Sequence, residues 1–352
     1  MNQCEGRPVS TQRLLWIDVL KILSAFFIVL HHSIASEWIR ALDNAKTPTW
    51  YLLNFLFEIS RIGLPIFFLC SGAVMLNKER SLRKIYQNNL VSVIKVYFFW
   101  MLIYGAKECL SLIANNHASV RTLVNAMIKN VLFGQYHTWF IPTLLGLYII
   151  TPILYLIVQN RDMGRYFILL SVLFTILIPL VEEVDSSGRL ANAFADVNMH
   201  FCVGYSLYFV LGYYITTTKQ TSKTDLLVFL VSTCAAFLIS NRRAFLGAGG
   251  DTQSVYTEFS LLGFLMCTSL FFFFKRTGDR WSAMSDTARK LVAALSRYGI
   301  AVYLMHPLFL PLIQDLDGML RILGAVLVWV VVVVVARIID FFPIRSCFLG
   351  NT

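Results

Sequence analysis

The sequence predicts an all-α fold, a polytopic membrane helical bundle of about ten transmembrane helices with both termini cytoplasmic. Three observations predict it. Hydrophobic residues make up 57% of the chain and charged residues only 14%, with a mean hydropathy of +0.66, far outside the soluble norm. Apolar runs long enough to cross a bilayer recur from one end of the 352 residues to the other. The Lys and Arg residues between those runs collect in alternate connectors.

A bilayer core takes roughly 20 apolar residues per helix. Runs of that kind lie at 14–34, 50–77, 91–114, 138–158, 166–183, 200–217, 225–241, 257–274, 293–313 and 319–342. Arg7 and Arg13 precede the first run, Lys78, Arg80, Arg83 and Lys84 follow the second, and Arg161 and Arg165 follow the fourth. Lys219 and Lys223 follow the sixth, and Lys275, Arg276, Arg280, Arg289 and Lys290 follow the eighth. The opposite connectors carry fewer cations and hold Glu182, Glu183, Asp185, Asp315 and Asp317. That alternation puts the basic set in the cytoplasm. One integral membrane domain over 1–352 is expected, with short cytoplasmic tails at 1–13 and 343–352. A cleaved signal peptide, with Ile22 to Leu30 as its apolar core, is the competing reading of the N-terminus. Asp18 just before that core, and the alternation that cleavage would spoil, argue against it.

The net charge of +10 follows from topology, so no nucleic-acid partner is expected. The seven cysteines are odd in number, mostly within apolar runs and without CxxC spacing, which points to no metal and no disulfide framework.

Ionisable groups in a membrane helix cost about 2.5–3.5 kcal/mol each on insertion scales, and they face a bundle interior or a wet cavity. The first span, WIDVLKILSAFFIVLHHS from Trp16, holds Asp18, Lys21, His31 and His32. On a helix Lys21 and His32 fall within roughly 20° of each other and about 16 Å apart along the axis, with Asp18 within roughly 60° of both. A sparse polar stripe therefore runs up one face of an apolar helix. The competing reading makes Asp18 and Lys21 an interfacial ion pair and the histidines mere boundary residues. His31 points about 100° from His32 and is expected to serve packing.

With this stripe the sequence resembles the acyltransferase-3 family of integral membrane acyltransferases, whose first helix carries an acidic residue, a cation, ten residues and a His, here Asp18, Lys21 and His32. The resemblance continues in SRIGLPIFFLCSGAVML from Ser60, with Phe67, Phe68, Ser71 and Gly72 in the family's pattern. It continues in YHTWFIPTLLGLYIITPIL from Tyr136, and in LSRYGIAVYLMHPLFL from Leu295, where Ser296 is followed by Tyr303 and His306. Within the family, length and the lack of an attached extracellular domain are similar to the enterobacterial common antigen O-acetyltransferase type. Two departures stand out: Lys21 replaces the commoner Arg, which keeps a cation but not a bidentate fork, and Ala73 and Val74 stand where an aromatic is frequent.

The resemblance implies an O-acetyltransferase of the bacterial inner membrane. The donor is cytosolic acetyl-CoA, and the acceptor is a hydroxyl of a cell-surface glycan or its lipid-linked precursor. His32, with an ordinary pKa near 6.5, suits a general base, although a covalent acyl-histidine is a chemical alternative. Lys21 would hold the donor or polarise its carbonyl, with Asp18 fixing Lys21. Arg80, Arg83 and Lys84 are the cations expected to meet the anionic nucleotide end, and Ser71 and Gly72 would let the donor arm pass, or else serve helix packing. His137, Trp139, Arg61 and His306 are expected on the acceptor side. Two other classes fit the same stripe. A proton-coupled transporter or flippase would use it as a relay, and a non-catalytic subunit of a glycan-export complex would use it for structure.

Overall fold

The computed structural model describes residues 14–41, 47–115, 118–184, 197, 199, 201–219, 222–245, 258–343 and 345–349. Arg7, Arg13, Asp185 and the tail at 1–13 lie outside them. Among the described residues every regular element is helical. The chain divides into two compact units, Met1–Lys78 with Ile153–Val332 and Glu79–Pro152 with Val333–Thr352.

The first unit opens with α1 (Leu15–Ala41), a 27-residue helix that serves as its spine. Helix α2 (Pro48–Ser60) starts where the Thr47 side chain accepts from the Trp50 amide and Pro48 takes the first turn, a position that needs no N–H. It is separated from α3 (Gly63–Met75) by a turn at Arg61–Ile62. Pro65 explains the break, because it cannot donate to the Arg61 carbonyl four residues back and its ring crowds it. Together α2 and α3 make one span, Pro48–Met75.

In the second unit α4 (Leu82–Ala114) contains a π-helical stretch at Ile85–Leu90, and α5 (Val120–Phe133) is a shorter amphipathic helix. Next come α6 (Phe140–Gln159), which crosses from the second unit into the first, and α7 (Arg161–Val181). The first unit continues with α8 (Tyr205–Thr217), α9 (Asp225–Phe245) and α10 (Leu261–Arg276). Arg276 at the end of α10 donates to both carboxylate oxygens of Asp225 at the start of α9, at 3.1 and 3.0 Å. After α11 (Gly278–Ser282), the helices α12 (Asp286–Ser296) and α13 (Gly299–Met305) form a pair bent by 46°. Two 3₁₀ turns, His306–Leu308 and Leu310–Ile313, lead to α14 (Gly318–Ile339) and the short α15 (Arg345–Leu349).

Among the described residues seven helices are long and apolar enough to cross a membrane, and the bent pair makes an eighth. The two remaining expected runs form α8 and α10, of 13 and 16 residues, shorter than a regular span. Both are packed inside the first unit. Glycines set how closely α3 and α8 cross: a Cβ on Gly72 would sit 1.7 Å from the Phe209 carbonyl oxygen, and one on Gly212 would sit 2.0 Å from that of Leu69. The two backbones therefore touch at a reciprocal pair of glycines, the small-residue contact by which membrane helices gain dispersion energy.

Around the second half of α1, Leu30, Ile34 and Trp38 pack with Trp50, Leu53, Phe57 and Ala325. Polar bonds fix that core in register. Asn54 accepts from the Trp38 indole and from Ser240 Oγ, each at 2.9 Å, and Asn241 accepts from the Trp50 indole at 3.0 Å.

Candidate functional site

The stripe on α1 is met by the bent pair at two heights. Near the start of α1, buried Asp18 accepts a hydrogen bond from Ser296 Oγ at 3.0 Å, at the last residue of α12. A late-segment hydroxyl is thus one partner of Asp18, the acid expected to fix Lys21. Lys21 is half-buried, and both it and Asp18 act electrostatically on the buried Cys70 thiol of α3, whose sulfur lies 3.9 Å from the Ile17 carbonyl. Ser71, the next residue, is also buried. Its neighbour Gly72 is committed to the crossing with Phe209, which is the packing role left open for it from sequence.

Fourteen residues further along α1, His32 Nδ1 lies 2.8 Å from His306 Nε2. The two rings are stacked 5.0 Å apart and 9° from parallel. The other nitrogen of His306, Nδ1, lies 3.2 Å from the Val302 carbonyl oxygen. A carbonyl only accepts, so His306 carries its proton on Nδ1 and presents a lone pair at Nε2. His32 must then donate from Nδ1, which leaves the lone pair of its neutral ring on Nε2. A carbonyl at one end of the chain thus sets the tautomer of the histidine at the other. His306 was expected on the acceptor side, and the structure brings it against His32.

His31 turns the other way. Its ring stacks on Phe57, 4.3 Å between centroids, and Phe57 stacks in turn on Trp38 at 4.4 Å. His31 Nδ1 is 3.1 Å from Ser60 Oγ, and Ser60 donates its own proton to the Phe57 carbonyl at 2.9 Å. His31 is therefore the donor of that bond, a packing residue as its direction on the helix implied. The Arg61 guanidinium lies 4.6 Å from the Phe57 ring centroid, and Arg61 pairs with buried Glu58 at 3.6 Å. A small cavity of about 10 Å³, room for roughly one water, opens beside this pair, lined also by Ile62, Ser260, Leu262 and Met266.

The remaining expected residues belong to the second unit. Ser81 caps the turn that carries Arg83 and Lys84, and Arg83 donates to Gln87 at 3.1 Å. Desolvation lowers the pKa of Arg80, and the Tyr148 phenol acts against that shift. His137 is buried with its ring 5.3 Å from that of Tyr104, while Trp139 is 47% exposed.

Sequence reading passed over Arg321, buried in α14, although the signal was present as a cation inside an apolar run. It also passed over Ser60, whose hydroxyl says nothing until the fold puts it beside His31.

The site joins the first and ninth predicted spans, and the comparison with known families covers both. A family model described as an acyltransferase domain, that of the acyltransferase-3 family, matches residues 14–340. No curated protein and no solved structure matched the chain. With nearly the whole chain matched, and with the expected acid, cation and histidine on one helix, the chain belongs to the acyltransferase-3 family of multi-pass membrane acyltransferases.

Proposed function

We propose that this protein is an O-acetyltransferase of the bacterial inner membrane, with ten crossings and both termini in the cytoplasm. It moves an acetyl group from cytosolic acetyl-CoA to a hydroxyl of a cell-surface glycan or its lipid-linked precursor, and an acceptor of the enterobacterial common antigen type is the first to test. The observation that carries the reading is the bond between His32 Nδ1 and His306 Nε2 at 2.8 Å, with His306 Nδ1 on the Val302 carbonyl. It makes His32 Nε2 a base whose tautomer is set in advance, the same logic by which a buried acceptor orients the histidine of a hydrolase triad. As the acceptor oxygen attacks the thioester carbonyl, Nε2 takes the hydroxyl proton. When the tetrahedral intermediate collapses, the C–S bond breaks and the proton goes to the departing thiolate, which leaves as coenzyme A. No atom is left over and no redox partner is required.

Distance separates the roles of the two stripe residues. Lys21 and His32 are about 16 Å apart along the helix, too far to touch one carbonyl. Lys21 therefore serves the donor's path, as a cation for a phosphate or for the pantetheine end, and polarising the reacting carbonyl falls to other groups. Arg80, Arg83 and Lys84 supply the clustered positive charge that an anionic nucleotide end calls for. The Glu58–Arg61 pair supplies an acceptor and a donor of hydrogen bonds of the kind that hold sugar hydroxyls.

The test is mass analysis of surface and secreted glycans from cells carrying the parent protein, His32→Ala or Lys21→Ala at matched abundance in the membrane. Acetylation should disappear in the first variant and fall sharply in the second. Unchanged acetylation in both would overturn the reading.

A further inference from the structure

We infer that Arg321 is a positioning residue for acyl transfer, a strap that holds His306 in hydrogen-bonding register with His32; this rests on the reading above. Arg321 is 5% exposed, and its guanidinium reaches three acceptors on two segments. Nε donates to the Ser33 carbonyl at 2.7 Å and one terminal nitrogen to Ser36 Oγ at 2.6 Å, both on α1, one and four residues beyond His32. The other terminal nitrogen donates to the Ile313 carbonyl, seven residues beyond His306. One planar group thus grips the helix that carries the base and the segment that carries its orienting partner.

The segment needs such a strap for a reason written in its sequence. Pro307 ends α13 by removing a helical donor, and Pro311 does the same one turn later. The chain from His306 to Ile313 consequently runs as two 3₁₀ turns, whose hydrogen bonds are poorer than those of an α-helix. Nothing internal to such a stretch fixes its height against α1. Arg321 supplies that tie from the next helix, and its three directions suit a guanidinium fork and not a lysine point charge. Glu37, Asp315 and Asp317 act favourably on the buried cation and Arg40 against it, with Arg40 itself paired to Glu37 and, at 3.2 Å, to Asp317.

A strap and a plain structural arginine differ in how their loss combines with loss of His306. The rate of glycan acetylation after induction should be followed in cells carrying Arg321→Gln, Arg321→Lys, His306→Ala and the double variant Arg321→Gln/His306→Ala, normalised to protein in the membrane. A misplacement near 1 Å costs up to about 100-fold, so Arg321→Gln should slow acetylation by about 10- to 100-fold, with Arg321→Lys in between. On the His306→Ala background the same change should add almost nothing, because the register it protects is already gone. A parental rate in Arg321→Gln, or its full loss repeated in the double variant, would overturn the inference. Should Arg321→Gln fail to reach the membrane, Arg321→Lys and Ser36→Ala decide: each keeps the charge and removes part of the grip, and parental rates in both would overturn it. Loss of acetylation in His32→Ala beside a parental rate in Arg321→Gln sinks the strap alone, whereas unchanged acetylation in His32→Ala sinks the acyl-transfer reading beneath it.

Discussion

At the scale of single residues the proton chain from the Val302 carbonyl through His306 to His32 makes a sharp demand on position 306. The side chain there must accept a hydrogen bond. His306→Gln keeps an acceptor and should retain part of the activity, whereas His306→Phe fills the space without one. We expect the phenylalanine variant to lose about 100-fold in initial rate, in the range ordinarily supplied by a positioned base, with the glutamine variant between it and the parent. Equal rates in the two variants would show that the acceptor at 306 is irrelevant. Position 31 makes the contrasting demand. His31→Phe should keep the stack on Phe57 and lose the polar contacts of the ring, the bond to Ser60 among them, so its effect should be confined to stability, about 1 kcal/mol, read as a small drop in the thermal midpoint of the purified protein. Helical spacing alone put Asp18, Lys21 and His32 on one face of α1, and the family resemblance supplied the chemistry expected of them. The pairing of His32 with His306 was not legible from sequence, since no periodicity relates residues 274 positions apart.

At the scale of elements, the crossing of α3 with α8 is set by backbone contact, and backbone cannot move aside as a side chain can. Gly72→Ala would drive a methyl group into the Phe209 carbonyl. Overpacking of this kind costs about 1–3 kcal/mol, so the variant should lose several degrees of thermal midpoint in detergent and accumulate less in the membrane. An unchanged midpoint would mean that the helices separate freely. The ends of α2 and α13 were foreseeable from Pro65 and Pro307, but the route of the chain after His306 was not. A proline says where a helix stops and not what takes hold of the segment beyond it. That information sat in Arg321, which in the sequence is one cation near the start of an apolar run and in the fold ties two distant segments.

For the whole molecule, hydropathy established the class and the charge pattern proposed the sidedness. Counting crossings is harder for the two short helices α8 and α10, whose 13 and 16 residues fall below a regular span while their packed neighbours shelter them from lipid. The proposed arrangement of ten crossings predicts which connectors face which side. In a variant with all seven native cysteines changed to serine, single cysteines at Lys84 and Lys219 should resist an impermeant maleimide in intact spheroplasts and react in inverted vesicles. A cysteine at Asp317, whose side chain is 75% exposed, should show the reverse. Reaction of positions 84 and 317 from the same side would contradict the arrangement.

The 274 residues between His32 and His306 also bear on how the protein is made. Helix α1 leaves the ribosome well before the partners of its polar stripe, since Ser296 lies 278 residues beyond Asp18 and His306 lies 274 beyond His32. While the intervening chain is synthesised, Asp18 and His32 lie in the bilayer without these late partners, a state whose insertion cost is about 2.5–3.5 kcal/mol for each charged group. A chain stopped before residue 306 therefore lacks the acceptor that His32 Nδ1 meets in the fold, and its first span carries that unmet donor in the bilayer.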